Sequence, residues 1–355
     1  MTTRLSRLSR ARRASAFVVA AFALAMIIVP WQEPPSSAQT TAQTPAPAAE
    51  SLLLVLNKAE NSLAMVDPST MQVVARVPVG IGPHEVATSA DGRTAYVANY
   101  GTQQVLGDSI SVIDIAARKE LKKIDLGALK RPHGIAERDG KIYFTSELSR
   151  AVARLDPATE RVDWVMGTGQ KIGHMLVVHP KRPTIYTINL LNDNVSVLEL
   201  DKGGEPGPPP RITHVAVGKG PEGADISPDG RELWVGHNGD GGVSIIDTET
   251  NKVKETIKAG GVPIRVKFTP DGKYVLISNP EGGDLAIFDA ATRKELKRLP
   301  VGEAAVGVIV APDSRRAFVA TMASGKVFQI NLESMTVAGS VETGKGPDGL
   351  GWVGK

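Results

Sequence analysis

The chain has 355 residues, 42% of them hydrophobic, with 36 glycines, 24 prolines and a formal net charge of +3. So many turn formers favour short strands over long helices. The absence of cysteine excludes disulfides, thiolate metal ligands, a lipidated N-terminal cysteine and covalent c-type haem attachment.

In chain order, residues 1–38 read as an export signal. Arg4, Arg7, Arg10, Arg12 and Arg13 precede an uncharged apolar run from Ala16 to Val29, and the first acid is Glu33. The small residues Ser36 and Ala38 then supply a cleavage site after Ala38. The run is short for a full span, so the mature protein is expected in the periplasm or outside the cell, with no membrane span after cleavage. Arg12-Arg13 leaves both general and twin-arginine export open. Residues 39–50, QTTAQTPAPAAE, form a Pro/Ala/Thr tether with nothing to bury. Without residues 1–38, which hold five arginines and one glutamate, 36 bases face 37 acids. A near-neutral domain lacks the basic face that drives nonspecific nucleic-acid binding, and no nucleic-acid partner is expected.

Residues 51–355 are built on one repeat. The residue following Gly-x-Pro, or its equivalent, recurs as His84, His133, His174, Glu222, Ile264, Val306 and Asp348, at spacings of 49, 41, 48, 42, 42 and 42. Each copy continues through a turn such as Asp91-Gly92, Asp229-Gly230 or Asp271-Gly272. Then come a second apolar strand, a third ending in an acid (SVID, ARLD, SIID, AIFD) and a more polar fourth. Four short antiparallel strands per period of about 42 residues describe a β-propeller blade. The fold class is therefore all-β, a seven-bladed propeller. The chain starts at a second strand and ends in an orphan first strand, GPDGLGWVG, so residues 346–354 should pair with residues 51–56 and close the ring. Two insertions lengthen the period, one near YGTQQVLGD and one at residues 201–210, DKGGEPGPPP. The second should loop out between the third and fourth strands of blade four, because its prolines cannot donate to a ladder.

The segments AYVANYG, IYTINLLND and the pair SVIDIAARK/SIIDTETNK resemble the YVTN-repeat seven-bladed propellers, which are often exported. The similarity runs over residues 51–355. More distantly the chain is similar to the propellers of cytochrome d1 and of proteins accompanying quinone-dependent dehydrogenases. The repeat is a structural signature, so what it implies is the fold and not an activity.

In a propeller the first strand is innermost and begins at the mouth of the central channel. The seven repeat positions therefore form a ring there, with His84, His133 and His174 in adjacent blades, Glu222 next and Asp348 on the other side of His84. Three neutral imidazoles and the Glu222 carboxylate suit Zn, Cu, Fe or Ni. His237, at the end of a second strand, falls on the same face. Strand alternation turns Arg265 and Glu85 away from the channel, the competing reading of Arg265 being an anion clamp at the funnel. The repeated acids Asp67, Asp114, Asp156, Asp247 and Asp289 sit in separate blades and should accept backbone N–H groups in turns. Asn57, Asn99, Asn189 and Asn279 should cap turns, and His179 and His214 carry no site. No nucleophile elbow, phosphate loop or dinucleotide fingerprint is present. Two functions stay open: a monomeric binding module whose funnel takes a metal, another small ligand or a periplasmic protein, or a metal-dependent hydrolase, lyase or oxidoreductase using the three histidines.

Overall fold

The computed structural model describes residues 51–200 and 211–354. The export signal, the tether and the insertion at 201–210 lie outside the described residues. Every described element is a strand, and no helix among the described residues is long and apolar enough to cross a membrane. The strands form seven four-stranded antiparallel sheets. The inner strands of blades two to seven are Pro83–Thr88, Pro132–Arg138, Gly173–Val178, Pro221–Ile226, Arg265–Phe268 and Ala305–Val310. Blade one takes its inner strand from the C-terminus: Pro347–Val353 pairs with Leu52–Asn57, in the register Leu52↔Val353 and Leu54↔Gly351. The closure expected from the orphan strand is the one observed.

Burial follows from this layering. Second strands such as LLLVLN (Leu52–Asn57) and TIYTIN (Thr184–Asn189) are buried throughout, because both faces of each sheet meet a neighbouring blade. Fourth strands such as KVKETIK (Lys252–Lys258) are largely exposed. Seven apolar clusters result, one per blade interface. Leu54, Leu56 and Met65 of blade one meet Ala95, Val97 and Ile113 of blade two. Phe318 and Val327 of blade seven meet Leu53 and Val55 of blade one, so the closing interface is packed like the other six.

The third-strand acids are turn residues, as expected: Asp67 Oδ1 accepts from Ser69 N at 2.8 Å, and Asp114 Oδ1 from Ala117 N at 2.8 Å. The second-strand asparagines tie their blades together internally. Asn99 Nδ2, for instance, donates to Ser109 Oγ and Ser111 Oγ.

Candidate metal centre

All inner strands but that of blade six pair with an irregularity, and in blades two to five it lies at the strand's start and decides what faces the channel. The register with the second strand shifts between Pro83 and Glu85, Pro132 and Ile135, Gly173 and Leu176, and Pro221 and Ala224. A bulge of this kind re-aims side chains and suspends the period of two. Gly134 and Gly223 follow the ring residues of blades three and five. A Cβ on either would collide with the backbone of the next inner strand, at Leu176 and Ile264 respectively, so the glycines let adjacent strands close in. The channel mouth is narrow for that reason.

The narrow mouth stacks the three histidines in a row. Ring centroids of His84 and His133 lie 4.0 Å apart, those of His133 and His174 3.8 Å, and those of the outer two 6.4 Å. His133, in the middle, is fully buried, and neither of its ring nitrogens has a hydrogen-bond partner. Burial, reinforced by the charge on His174, pushes the His133 imidazole well below its ordinary pKa and keeps it neutral. Tyr100 packs edge-on against both His84 and His133, with centroids at 5.4 and 5.3 Å.

His174 has the opposite environment. Its Nδ1 lies 2.6 Å from Glu147 Oε1 and its Nε2 3.6 Å from Glu222 Oε1. Burial works against charge here, but the hydrogen bonds and charges of Glu147 and Glu222 prevail and raise the imidazolium to about 9. Tyr100 donates its hydroxyl to Glu147 Oε2 at 2.5 Å, and burial together with that carboxylate pushes the phenol up to about 12. Glu222 also accepts from Asn238 Nδ2. Neutral imidazoles throughout, the sequence expectation, thus fail at His174: two carboxylates outweigh both burial and its histidine neighbours. A pH dependence follows. A histidine raised in the folded state stabilises fully below its unfolded value near 6.5, and that stabilisation drains away as pH rises through about 9. Chelator-treated wild type should lose at most about 3 kcal/mol over that window, and His174→Gln should not. Parallel melting curves for the two proteins from pH 6.5 to 9 would contradict the assignment.

On the other side of the row, His84 Nε2 lies 3.5 Å from Asp348 Oδ2 and His84 Nδ1 3.6 Å from Glu85 Oε1. Arg265 reaches across from blade six to Glu85 and, at 3.7 Å, to Asp348; Lys58 Nζ is 3.6 Å from Asp348. Alternation had turned Arg265 and Glu85 away from the channel. The bulge after Pro83 brings Glu85 inward, and a buried Arg265 meets it there as a charge partner, not as an open anion clamp. Burial raises the Glu85 carboxyl, but Arg265 and His84 together outweigh it and leave the group below its usual range. Ile264 and Val306 complete the ring as part of an apolar cluster.

Among the described residues, two sets offer ligand atoms within 4.8 Å of one another: His84, Glu85 and His133, and His133, Glu147 and His174. Glu222, expected as the fourth ligand, belongs to neither, because it sits beyond His174. His237 is not brought to the cluster at all. It is fully buried, its Nδ1 lies 3.1 Å from Asp240 Oδ1, and its Nε2 accepts from Gly218 N and Ser244 N at 3.2 Å. It does in blade five what asparagine does elsewhere. Glu147, Tyr100 and Lys58 were missed. All occupy one repeat position, the residue after the second-strand asparagine or its equivalent, which reads Lys58, Tyr100, Glu147, Leu190, Asn238, Pro280 and Met322 around the ring. Aligning that position would have revealed a second ring above the first.

No curated protein matches the chain. The family model described as cytochrome D1 heme domain matches residues 213–341. Hydrazine synthase of Kuenenia stuttgartiensis is similar with a TM-score of 0.69 at 20% identity, over 83% of this chain and 99% of that one. The periplasmic gluconolactonase PpgL of Pseudomonas aeruginosa gives 0.69 at 21%, over 85% and 99%. The dihydro-heme d1 dehydrogenase NirN gives 0.62 at 17%, over 82% and 63%. At such identities the likeness is one of fold. The family match implies a haem, and the residues present do not fit one. The matched stretch contains two histidines, His237, which is sealed in its blade, and His214, which is exposed on an outer strand beside Ser196 and Gln170. The channel holds a cavity of about 260 Å³, lined in part by Glu85, Arg265 and Leu350, and one of about 480 Å³ further along, lined in part by Thr88, Glu137 and Trp352, and no histidine lines either. A single cation suits the stacked imidazoles at its mouth better than a macrocycle does.

Proposed function

We propose that this propeller is an exported binding module of the YVTN-repeat type whose channel mouth holds one divalent transition-metal ion. Residues 1–38 direct export to the periplasm and residues 39–50 tether the propeller, which spans 51–355; the basic leader and a periplasmic protein of the same fold support this. One observation carries the metal reading: a fully buried, neutral His133 whose two ring nitrogens have no partner. Orphaned buried nitrogens are costly unless something occupies them. His84 Nδ1 is likewise without a hydrogen bond, so His84, His133 and Glu85 are the ligands we assign. Zinc, copper, iron or nickel all suit such a set.

A bound ion would supply Lewis acidity or an activated water. The chain's own contribution is to place a proton beside it. His174, held charged between Glu147 and Glu222, can donate from Nδ1 or Nε2, and Tyr100 with Arg131 covers the row from solvent. That donor is what favours the second reading, a metal-dependent enzyme.

Calorimetric titration with zinc and with copper tests the site. Wild type should take up one ion per chain, and His133→Ala should bind at least about 100-fold more weakly without unfolding. His174→Gln should keep the ion. Equal, weak heats in wild type and His133→Ala would remove the metal reading and leave a polar binding funnel.

A further inference from the structure

Each carboxylate that reaches the histidine row has a cation beside it. Arg265 faces Glu85 and Asp348, and the charged His174 lies between Glu147 and Glu222. The acids further out, Asp125, Asp193 and Asp240, accept from backbone N–H groups of the loops. Arg131 has no such counterpart. It is half-buried, its guanidinium lies 4.7 Å from the centre of the Tyr100 ring and its Nη2 donates to Thr102 O at 3.0 Å. No carboxylate among the described residues pairs with it. Lys58 Nζ lies 5.6 Å from the centre of the same ring, and its one carboxylate, Asp348, is shared with Arg265 and His84. Tyr100 itself packs on His84 and His133, so cations from blades one and three stand one ring away from the assigned ligands.

The backbone gives a second, independent reason to single out Arg131. The residue two before the ring position turns left-handed in six of the blades, and in blades one, two and five it is Gly346, Gly82 and Gly220, with φ of 65°, 59° and 61°. Blade three puts Arg131 there, at φ 55°, a conformation that penalises any residue with a Cβ. Ile172 and Ala304 share that strain in blades four and seven but carry no charge. Strained residues persist where the surroundings over-determine them, and they gather at ligand clamps. A glycine at 131 would turn the chain at no such cost, and it would leave the mouth without its unpaired guanidinium.

We propose, resting on the metal reading, that Arg131 and Lys58 hold the oxyanion end of a small ligand, a carboxylate or a phosphate, whose other end meets the metal ion. Two neutral imidazoles and one carboxylate leave a divalent ion with one net positive charge and, in a four-coordinate set, one open position. The guanidinium keeps its charge at every working pH and presents paired N–H donors that match a carboxylate or phosphate edge. A neutral ligand would leave Arg131 as unpartnered as it is now. Arg131 thus sets which ligands are accepted, while the ion and its histidines hold them.

Cobalt reports on such a site through its visible spectrum. Cobalt-loaded wild type is titrated with glycolate, with hydroxymethylphosphonate and with the neutral glycolamide. At least one anion should shift the spectrum saturably and glycolamide should not; the tighter anion names the oxyanion. Arg131→Gly, which also relieves the backbone, should melt cooperatively, keep the cobalt and bind that anion at least about tenfold more weakly. Arg131→Lys should recover part of the loss. Equal anion affinity in wild type and Arg131→Gly would reduce Arg131 to a prop for Tyr100 and overturn the proposal, as would glycolamide binding as tightly as glycolate. A wild type that takes up cobalt and answers to neither anion sinks this proposal alone. One that takes up no cobalt sinks the metal reading and this proposal with it.

Discussion

Deleting residues 346–355 should leave no folded monomer. The segment supplies the whole inner strand of blade one, and its removal strips Leu52–Asn57 of one partner. Val353 is buried in the interface with blade two, and Leu350 and Trp352 pack into the interface with blade seven. Each such side chain contributes about 1.5–3 kcal/mol through burial, against a total stability of about 5–15 kcal/mol for a typical domain. The loss also exposes the second strand as a flat, apolar edge, LLLVLN, the kind that recruits other chains. Size-exclusion chromatography should therefore show aggregate, with no cooperative melt. A soluble monomer melting with the parent would mean that six and three-quarter blades suffice.

That closure was legible because a propeller writes its architecture as a period, and the odd strands at the two ends could be matched by counting. The ring at the channel mouth was legible for the same reason, as one residue per repeat in fixed register. What escaped the sequence is where the local rule changes. The bulge after Pro83 breaks the alternation on which the reading of Glu85 rested, and Arg265 then finds its partner there. Glu147 directly follows its second strand whereas Tyr100 lies in one that runs on to Gly101, so no short motif announces them. His174 becomes an imidazolium because of Glu147, and without Glu147 in view the three histidines look alike. His237 lies on the correct end of its blade, yet its ring is turned into the sheet by Asp240, Gly218 and Ser244. Position along the chain fixes the face of the fold but not the direction of a side chain.

Replacing Arg265 should be the most damaging single substitution in the channel. The guanidinium is buried and holds two carboxylates, Glu85 in blade two and Asp348 in blade one, from the far side of the ring. Both carboxyls are buried; burial raises them, and Arg265 is prominent among the groups that bring them back below their usual range. Arg265→Met keeps much of the side-chain volume but leaves two buried negative charges, with Lys58 their one remaining full cation. Removing one partner of a buried pair costs about 3–5 kcal/mol. The sign of the pH response should invert as well. In the wild type, depressed carboxyls stabilise above their unfolded values near 4 and lose that stabilisation as pH falls. In Arg265→Met the same carboxyls are raised, so protonation relieves the repulsion and the variant should gain stability from pH 7 towards 5. Adding Glu85→Gln should recover part of the loss at pH 7 by removing one of the stranded charges. Thermal melts of the three proteins at pH 5 and 7 decide it: an Arg265→Met protein that melts with wild type at pH 7, or weakens on acidification, would show that the channel carboxylates do not rely on Arg265.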